Sequence, residues 1–272
     1  MTIKELEAKA HWVRQEAFKM QANAGKGHLG GAFSITEVLT ALYYSGLLRL
    51  GKEYLKKDNR DRVFFSKGHA GLSWYVILAD CGFFSPKELA TYGKNGSMIG
   101  GHPDHFIPGV EVSSGSLGHG LGVAAGLALS AKLDKKDFLS IAILGDGECS
   151  EGSVWEAAAF AGKRELSNLV AIVDNNGVGA ADFTANYFGT KKEMAGRWKA
   201  FGWDVVEVDG HNLAKIVPII KKLRNRTSKK PLAIIANTIK GKGVSFMHND
   251  HHWHHGVPKG ELADKARKEL GI

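Results

Sequence analysis

Two sets of residues in this sequence have types and spacings that can do chemistry. The first begins in the stretch LGDGECSEG, Leu144–Gly152, where Asp146 stands between Gly145 and Gly147 at the end of the apolar run Phe138–Leu144. About thirty residues on, Asn175 and Asn176 close a second apolar run, Leu169–Asp174. If both runs are parallel strands joined by one helix, their carboxyl ends lie side by side, and a carboxylate and an amide converge on one point. A hard cation takes such oxygen ligands, and magnesium usually keeps some of its six positions for phosphate and water. Gly145 and Gly147 allow a sharp turn and close approach of the backbone to a phosphate. The helix that follows turns its free N–H groups toward the same place. A lone Gly-Asp-Gly would be only a tight turn with a capping aspartate. The amide at the matching strand end makes a metal-bridged diphosphate site the better reading, with either Asn175 or Asn176 as the amide ligand.

The second set is histidine. His28, His69 and His102 each follow a glycine, which places them in turns, and the stretch HHWHHG offers His254 and His255. Near pH 7 a neutral imidazole can accept a proton, donate one, or bond a hydroxyl. Singly, each would more often be a packing or surface residue; together in loops they form a candidate reaction site. The five histidines between His248 and His255 also contain a zinc-type spacing, His251…His255, but no cysteine accompanies them.

These residues need a scaffold that brings strand ends together. Leu6, Ala10, Val13, Ala17 and Met20 recur at helical spacing and predict a helix over Ile3–Gln21. Ser34 with Glu37 three positions on has the form of a capping box for a second helix. DRVFFSKGHA reads as a strand entering a small-residue turn, and GLSWYVILADCG as a helix closed by Gly82. WDVVEVDG and PLAIIANT read as further strands, with a helix around Leu213–Leu223 between them. Continuous apolar strands alternating with helices predict an α/β fold, a parallel β-sheet with helices on both faces. No repeat or linker interrupts the pattern, so residues 1–272 are expected to form a single domain.

The bulk properties agree. The chain has 272 residues, 34 glycines and only 6 prolines, which suits many tight strand-to-helix turns. Its net charge of +8 is spread out. The one dense basic run, Lys221-Lys222-Leu223-Arg224-Asn225-Arg226 with Lys229-Lys230, reads as a solvated helix end, so no nucleic-acid partner is expected. A mild positive balance suits anionic substrates. Cys81 and Cys149 have no metal-ligand spacing and fit a reducing compartment. The N-terminus lacks an apolar signal core and no segment is long enough to span a bilayer, so a cytoplasmic location away from membranes is expected.

Gly-Asp-Gly followed by Asn-Asn resembles the cofactor motif of thiamine-diphosphate enzymes. The segments GKGHLGG, DRVFFSKGHA, GGHPD, SSGSLGHGLG, GDGECSEG, VDNNG and GKGVSFM…WHHG stand in the order found in transketolases. The resemblance runs from about residue 20 to about 258 and covers the first, diphosphate-binding domain of that family. It implies thiamine diphosphate held through Mg2+ (or Ca2+ or Mn2+). The metal ligands implied are Asp146, Asn176 and the carbonyl of Val178; Asn176 is preferred over Asn175 because the family places the ligand directly before glycine. Gly147 and Glu148 fall on the diphosphate side, and Gly115, Ser116 and Leu117 match the segment beside the aminopyrimidine. His28, His69, His102 and His255 match the family's channel histidines, with His69 and His255 also near the cofactor and His254 a rival for His255. His119 stands where many relatives have glutamine and is left unassigned. Glu151 matches a glutamate at the subunit contact, in an acidic relay between paired sites, although a first-turn glutamate favoured by the helix dipole would look the same.

The implied activity is ketol transfer from a ketose phosphate to an aldose. In the family, the glutamate that activates the cofactor and the groups that bind sugar phosphate lie in a second, pyrimidine-binding domain, which the resemblance does not reach and which is expected on a separate chain. The expectation is one subunit of a split transketolase, active only with a separate partner, in a two-fold symmetric α2β2 heterotetramer. Alternatives are a transketolase specialised for a sulfonated or branched sugar, a component of a 2-oxoacid-using thiamine-diphosphate enzyme, and a non-enzymatic scaffold.

Overall fold

The computed structural model describes all residues from Met1 to Ile272. Five parallel strands form one sheet in the order β1-β2-β3-β5-β4: β1 Arg62–Phe65, β2 Ser140–Gly145, β3 Leu169–Asn175, β4 Asp204–Asp209 and β5 Leu232–Asn237. Side chains of a strand alternate between faces, and that alternation divides the core in two. Val63, Phe65, Ile141, Ile143, Val170, Ile172, Leu232 and Ile234 face one layer. Phe64, Ala142, Leu144, Ala171, Val173, Ala233 and Ile235 face the other.

On the first face pack α1 (Ile3–Ala24), α2 (Leu29–Ser34), α3 (Thr36–Tyr44), α4 (Leu72–Asp80), α8 (Leu213–Lys222) and α9 (Glu261–Leu270). The second face is covered by α5 (Gly120–Leu133), α6 (Gly152–Lys163) and α7 (Met194–Ala200). Ala124, Ala125, Ala128, Ala157, Ala158 and Ala161 are buried there, where small side chains let α5 and α6 approach the sheet and each other closely. The covered parallel sheet expected from the apolar runs is therefore present.

Two local expectations fail. Ser34 does not cap a helix: it ends α2, and its hydroxyl donates to the Gly31 carbonyl and to the Asp174 carboxylate. Glu37 lies in the first turn of α3 but accepts a bidentate pair from Arg14 of α1. Both side chains found stronger partners across the core than the local N–H groups offered. The basic run is only partly solvated, because Arg224 and Arg226 pair with Asp61 and Asp204.

Asp61, fully buried, fixes the start of β1. Its carboxylate accepts from the Leu139 N–H at 2.8 Å, the Arg49 N–H at 2.8 Å and the Arg224 guanidinium. Asp61→Ala strands two backbone donors and one cation, so it should cost about 3–5 kcal/mol. Urea unfolding should show this as a lower midpoint with an unchanged slope, since the same surface is still exposed.

Candidate active site at the carboxyl edge of the sheet

The strand ends bring the predicted residues together. Register pairs Gly145 of β2 with Asp174 of β3, so Asp146 and Asn176 extend from adjacent strands. The sheet ladder continues to Asn175, which pairs with Asn237 of β5. That pairing separates the two asparagines. Asn175 donates to the Asn237 side chain at 2.8 Å and to the Lys191 carbonyl at 3.1 Å, as a sheet-end residue would. Asn176, one residue past the strand, lines a cleft of about 240 Å3 together with Asp146, Gly147, Val178, Lys67 and Lys240.

Asp146 is buried, and its carboxylate accepts from the N–H groups of Gly147 and Gly177. Burial pushes its carboxyl up to about 6, against those two bonds. A carboxylate so placed gains from a cation. The Asn176 side-chain oxygen accepts from the Val178 N–H at 3.0 Å, which curls residues 176–178 into a tight turn; Gly177 takes φ +82° within it. A carboxylate, an amide oxygen and the Val178 carbonyl therefore stand on one cleft, a donor set suited to a hard divalent cation.

Three residues that sequence reasoning missed support this turn. Asp174 is fully buried and accepts from Lys67, Ser34, Thr238 and the Asn176 amide. Its burial alone would raise the carboxyl, but Lys67 and the hydroxyls hold it below the usual carboxylate range. Lys67, from the turn after β1, also donates to the Gly31 carbonyl at 3.0 Å. Lys240 follows β5 and donates to the carbonyls of Val178 (2.9 Å) and Gly179 (2.7 Å) and meets His254 Nδ1 at 2.8 Å. Burial, with the charge of Lys67, lowers Lys240 to about 8. Two ammonium groups on the cleft supply positive charge that would offset the negative charge of a phosphorylated ligand. The signal available was a lysine two or three residues after each of two apolar strands, in FFSKG and IIANTIKG.

Glu148 is buried and turned onto the backbone. It accepts from Ser66, from the Gly118 N–H at 2.9 Å and from the Gly145 N–H at 3.0 Å, tying the 115–118 loop to the Asp146 turn. Burial raises its carboxyl. Leu117 lines the cleft. Gly115 packs against the His102 ring at φ +135°, where an added Cβ would sit 3.3 Å from His102 Cγ. Ser116 lines a neighbouring hollow with His119. Glu151 lines the rim of the cleft and is exposed.

The histidines gather above the cleft around His28. Its ring centroid lies 4.4 Å from His255, 5.1 Å from His254, 5.2 Å from His69 and 6.4 Å from His102. His254 and His69 line the cleft itself; His102 and His255 are exposed. Burial, then the positive groups nearby, lowers His28 to about 4, His254 to about 3 and His69 to about 2. These imidazoles are neutral at pH 7 and can accept protons or hydrogen bonds. His28 Nδ1 is buried with no protein partner, an acceptor or donor left open at the centre of the group. The tail's metal-type spacing is not realised between His251 and His255; Asp250, His251 and His252 are the side chains that approach one another.

A covered parallel sheet with an oxygen-donor turn, two lysines and a cluster of histidines at its carboxyl edge has the chemistry of a site for a phosphorylated cofactor. The chain belongs to the transketolase family: residues 7–272 match the family described as transketolase, thiamine diphosphate binding domain. It is 40% identical over 270 residues to an apulose-4-phosphate transketolase subunit of Phocaeicola vulgatus, across 99% of this chain and 95% of that protein. It is 38% identical to the 6-deoxy-6-sulfo-D-fructose transketolase subunit SqwG of a Clostridium species, across 87% of that protein. Human transketolase is 35% identical, but the chain spans only 42% of its length. Transketolase from Campylobacter jejuni superposes with a TM-score of 0.91 at 29% identity, over 100% of this chain and 43% of that one. No helix is long and apolar enough to cross a membrane.

Proposed function

We propose that this chain is the diphosphate-binding subunit of a split transketolase, folded as one domain, that transfers a two-carbon ketol unit from a ketose phosphate to an aldose. The observation that carries the reading is the convergence of Asp146, Asn176 and the Val178 carbonyl beside two lysines, under five clustered histidines. The donor set fits Mg2+ on a diphosphate. Asp146, Asn176 and Val178 would hold the metal, and Gly147, Lys67 and Lys240 would face the phosphates. Thiamine diphosphate supplies the electron sink for cleavage next to a carbonyl.

The chain's own residues bind, orient and move protons. Neutral His28 and His69 take or return a proton at sugar hydroxyls and bond those that do not react. His102 and His255, more open to solvent at the mouth, meet the substrate chain as it enters. His254 bonds Lys240 and would serve the cofactor side, and His255 lies against His28 and would serve the substrate side. Glu148 fixes the 115–118 loop against the metal turn. Glu151, exposed on the rim, would meet a neighbouring subunit.

The near full-length match to relatives that are themselves named as transketolase subunits supports a separate partner subunit; the pyrimidine-binding domain on that partner and a two-fold heterotetramer are part of the proposal. Those relatives' names also favour a second reading, in which the donor is a specialised sugar. Ketol transfer measured with the assembled enzyme over a panel of ketose phosphates and sulfonated ketoses separates the two. Fastest turnover of xylulose 5-phosphate supports the first, and that of an unusual sugar the second.

A further inference from the structure

Lys240 has to be held in place by something, because its strand ends before it. The β5 ladder stops at Asn237, and residues 238–241 continue as irregular backbone, with Lys240 lining the cleft. The Thr238 and Gly241 N–H groups go to backbone carbonyls, those of Asn175 and Gly30. The Ile239 N–H goes instead to a side chain, His211 Nε2, at 2.9 Å. His211 lies in the turn between β4 and α8, and its Nδ1 is 2.9 Å from the Glu37 carboxylate. Glu37 and Arg14 are both buried, and the guanidinium reaches both carboxylate oxygens as well as the Phe33 carbonyl.

The bonding pattern fixes the chemistry of the ring. Accepting from an amide N–H requires Nε2 to be bare, so the proton of the neutral ring sits on Nδ1 and is given to Glu37. Burial alone would raise Glu37, yet Arg14 and the bond from His211 hold its carboxyl down at about 2, so it stays a full acceptor. Buried Arg14 on α1 and Glu37 on α3, with half-buried His211, thus form a chain ending on the amide beside Lys240. None of the three lines the cleft.

We propose that His211 is a positioning residue for the cofactor site: it sets the backbone at Ile239 so that Lys240 reaches the carbonyls of Val178 and Gly179, and through them it shapes the metal turn. The inference rests on reading the cleft as the thiamine diphosphate site. It assigns His211 no contact with cofactor or substrate.

The test uses the full chain and calorimetric titration with thiamine diphosphate at saturating Mg2+. His211→Leu removes both bonds, whereas His211→Gln can offer an oxygen to Ile239 and an amide to Glu37. The expected result is about 10–100-fold weaker binding in H211L, the range for residues acting behind a ligand shell, with most of the affinity restored in H211Q. In a Lys240→Ala background the same H211L change should add less than about twofold, because residues acting as a unit are not additive. Unchanged affinity in H211L, or full additivity with K240A, overturns the proposal. If H211L does not fold, H211Q against H211N decides: the shorter amide cannot span Glu37 and Ile239, and equal affinity in the two overturns it. Absence of binding by the unsubstituted chain both alone and together with its pyrimidine-binding partner would remove the cofactor reading itself, and this inference with it.

Discussion

Asp146→Ala is expected to abolish binding of the Mg2+–thiamine diphosphate pair while leaving the chain folded. The loss should exceed the roughly 100-fold that outer-shell changes cause at metal sites, because a direct charged ligand is removed. Folding should survive for a reason visible in the site. The carboxyl of Asp146 is raised from 3.8 to about 6 by burial. A carboxyl that is less acidic folded than unfolded favours the folded state at low pH and opposes it once ionised. At pH 7 the bare carboxylate is therefore a cost that alanine removes, which offsets the two N–H bonds lost from Gly147 and Gly177. Calorimetry should show no saturable binding at cofactor concentrations that saturate the parent, and the melting temperature without ligand should fall little or rise. Cofactor affinity equal to the parent's rules out Asp146 as the metal ligand. Asn176→Ala should weaken binding too. Asn175→Ala should act mainly on stability, because its amide is spent on Asn237 and Lys191.

The contrast between the two asparagines shows where sequence reading stops. The apolar runs predicted the strands and the adjacency of their ends, because burial on both faces of a covered parallel sheet leaves a strong imprint on residue type. Choosing between Asn175 and Asn176 needs the last ladder bond, and strand ends are the least legible part of such a pattern. Ser34 and Glu37 mislead for a related reason. Their spacing matches a local motif, but Asp174 and Arg14, remote in sequence, compete for them and win. Polar residues that act across the core carry no periodicity. Asp174 sits inside an apolar strand and Lys67 follows one, and only their mutual burial reveals the pair. Lys240 and His211 are found the same way, by tracing where buried donors go. The histidine group was legible as a set, but which of His254 and His255 faces the cleft depends on the turn at His251–Trp253.

The chain alone should show almost no ketol transfer, and a partner carrying the pyrimidine-binding domain should restore it. The carboxylates of the cleft are already committed. Asp146 accepts from the Gly147 and Gly177 N–H groups, Glu148 bonds three groups of its own chain, and Asp174, buried behind the cleft, is enclosed by four. Glu151 is free, but it lies on the rim. None is placed to act as the proton-transferring acid on the cofactor's far ring, the role that the family gives to its second domain. Loss of a positioned acid or base lowers a rate by about 10²–10⁴, so the isolated chain should run below about a hundredth of the assembled rate. The assay is transfer from xylulose 5-phosphate to an aldose, with the chain alone and then titrated with the partner. Light scattering should show the complex at the mass of two copies of each chain. Under the same titration Glu151→Gln should weaken assembly or coupling between sites while leaving cofactor binding to the isolated chain intact, since the Glu151 carboxylate makes no bond to the metal turn. Full activity from the chain without a partner would defeat the split-enzyme reading while leaving the Asp146 site untouched, so the two predictions can fail independently.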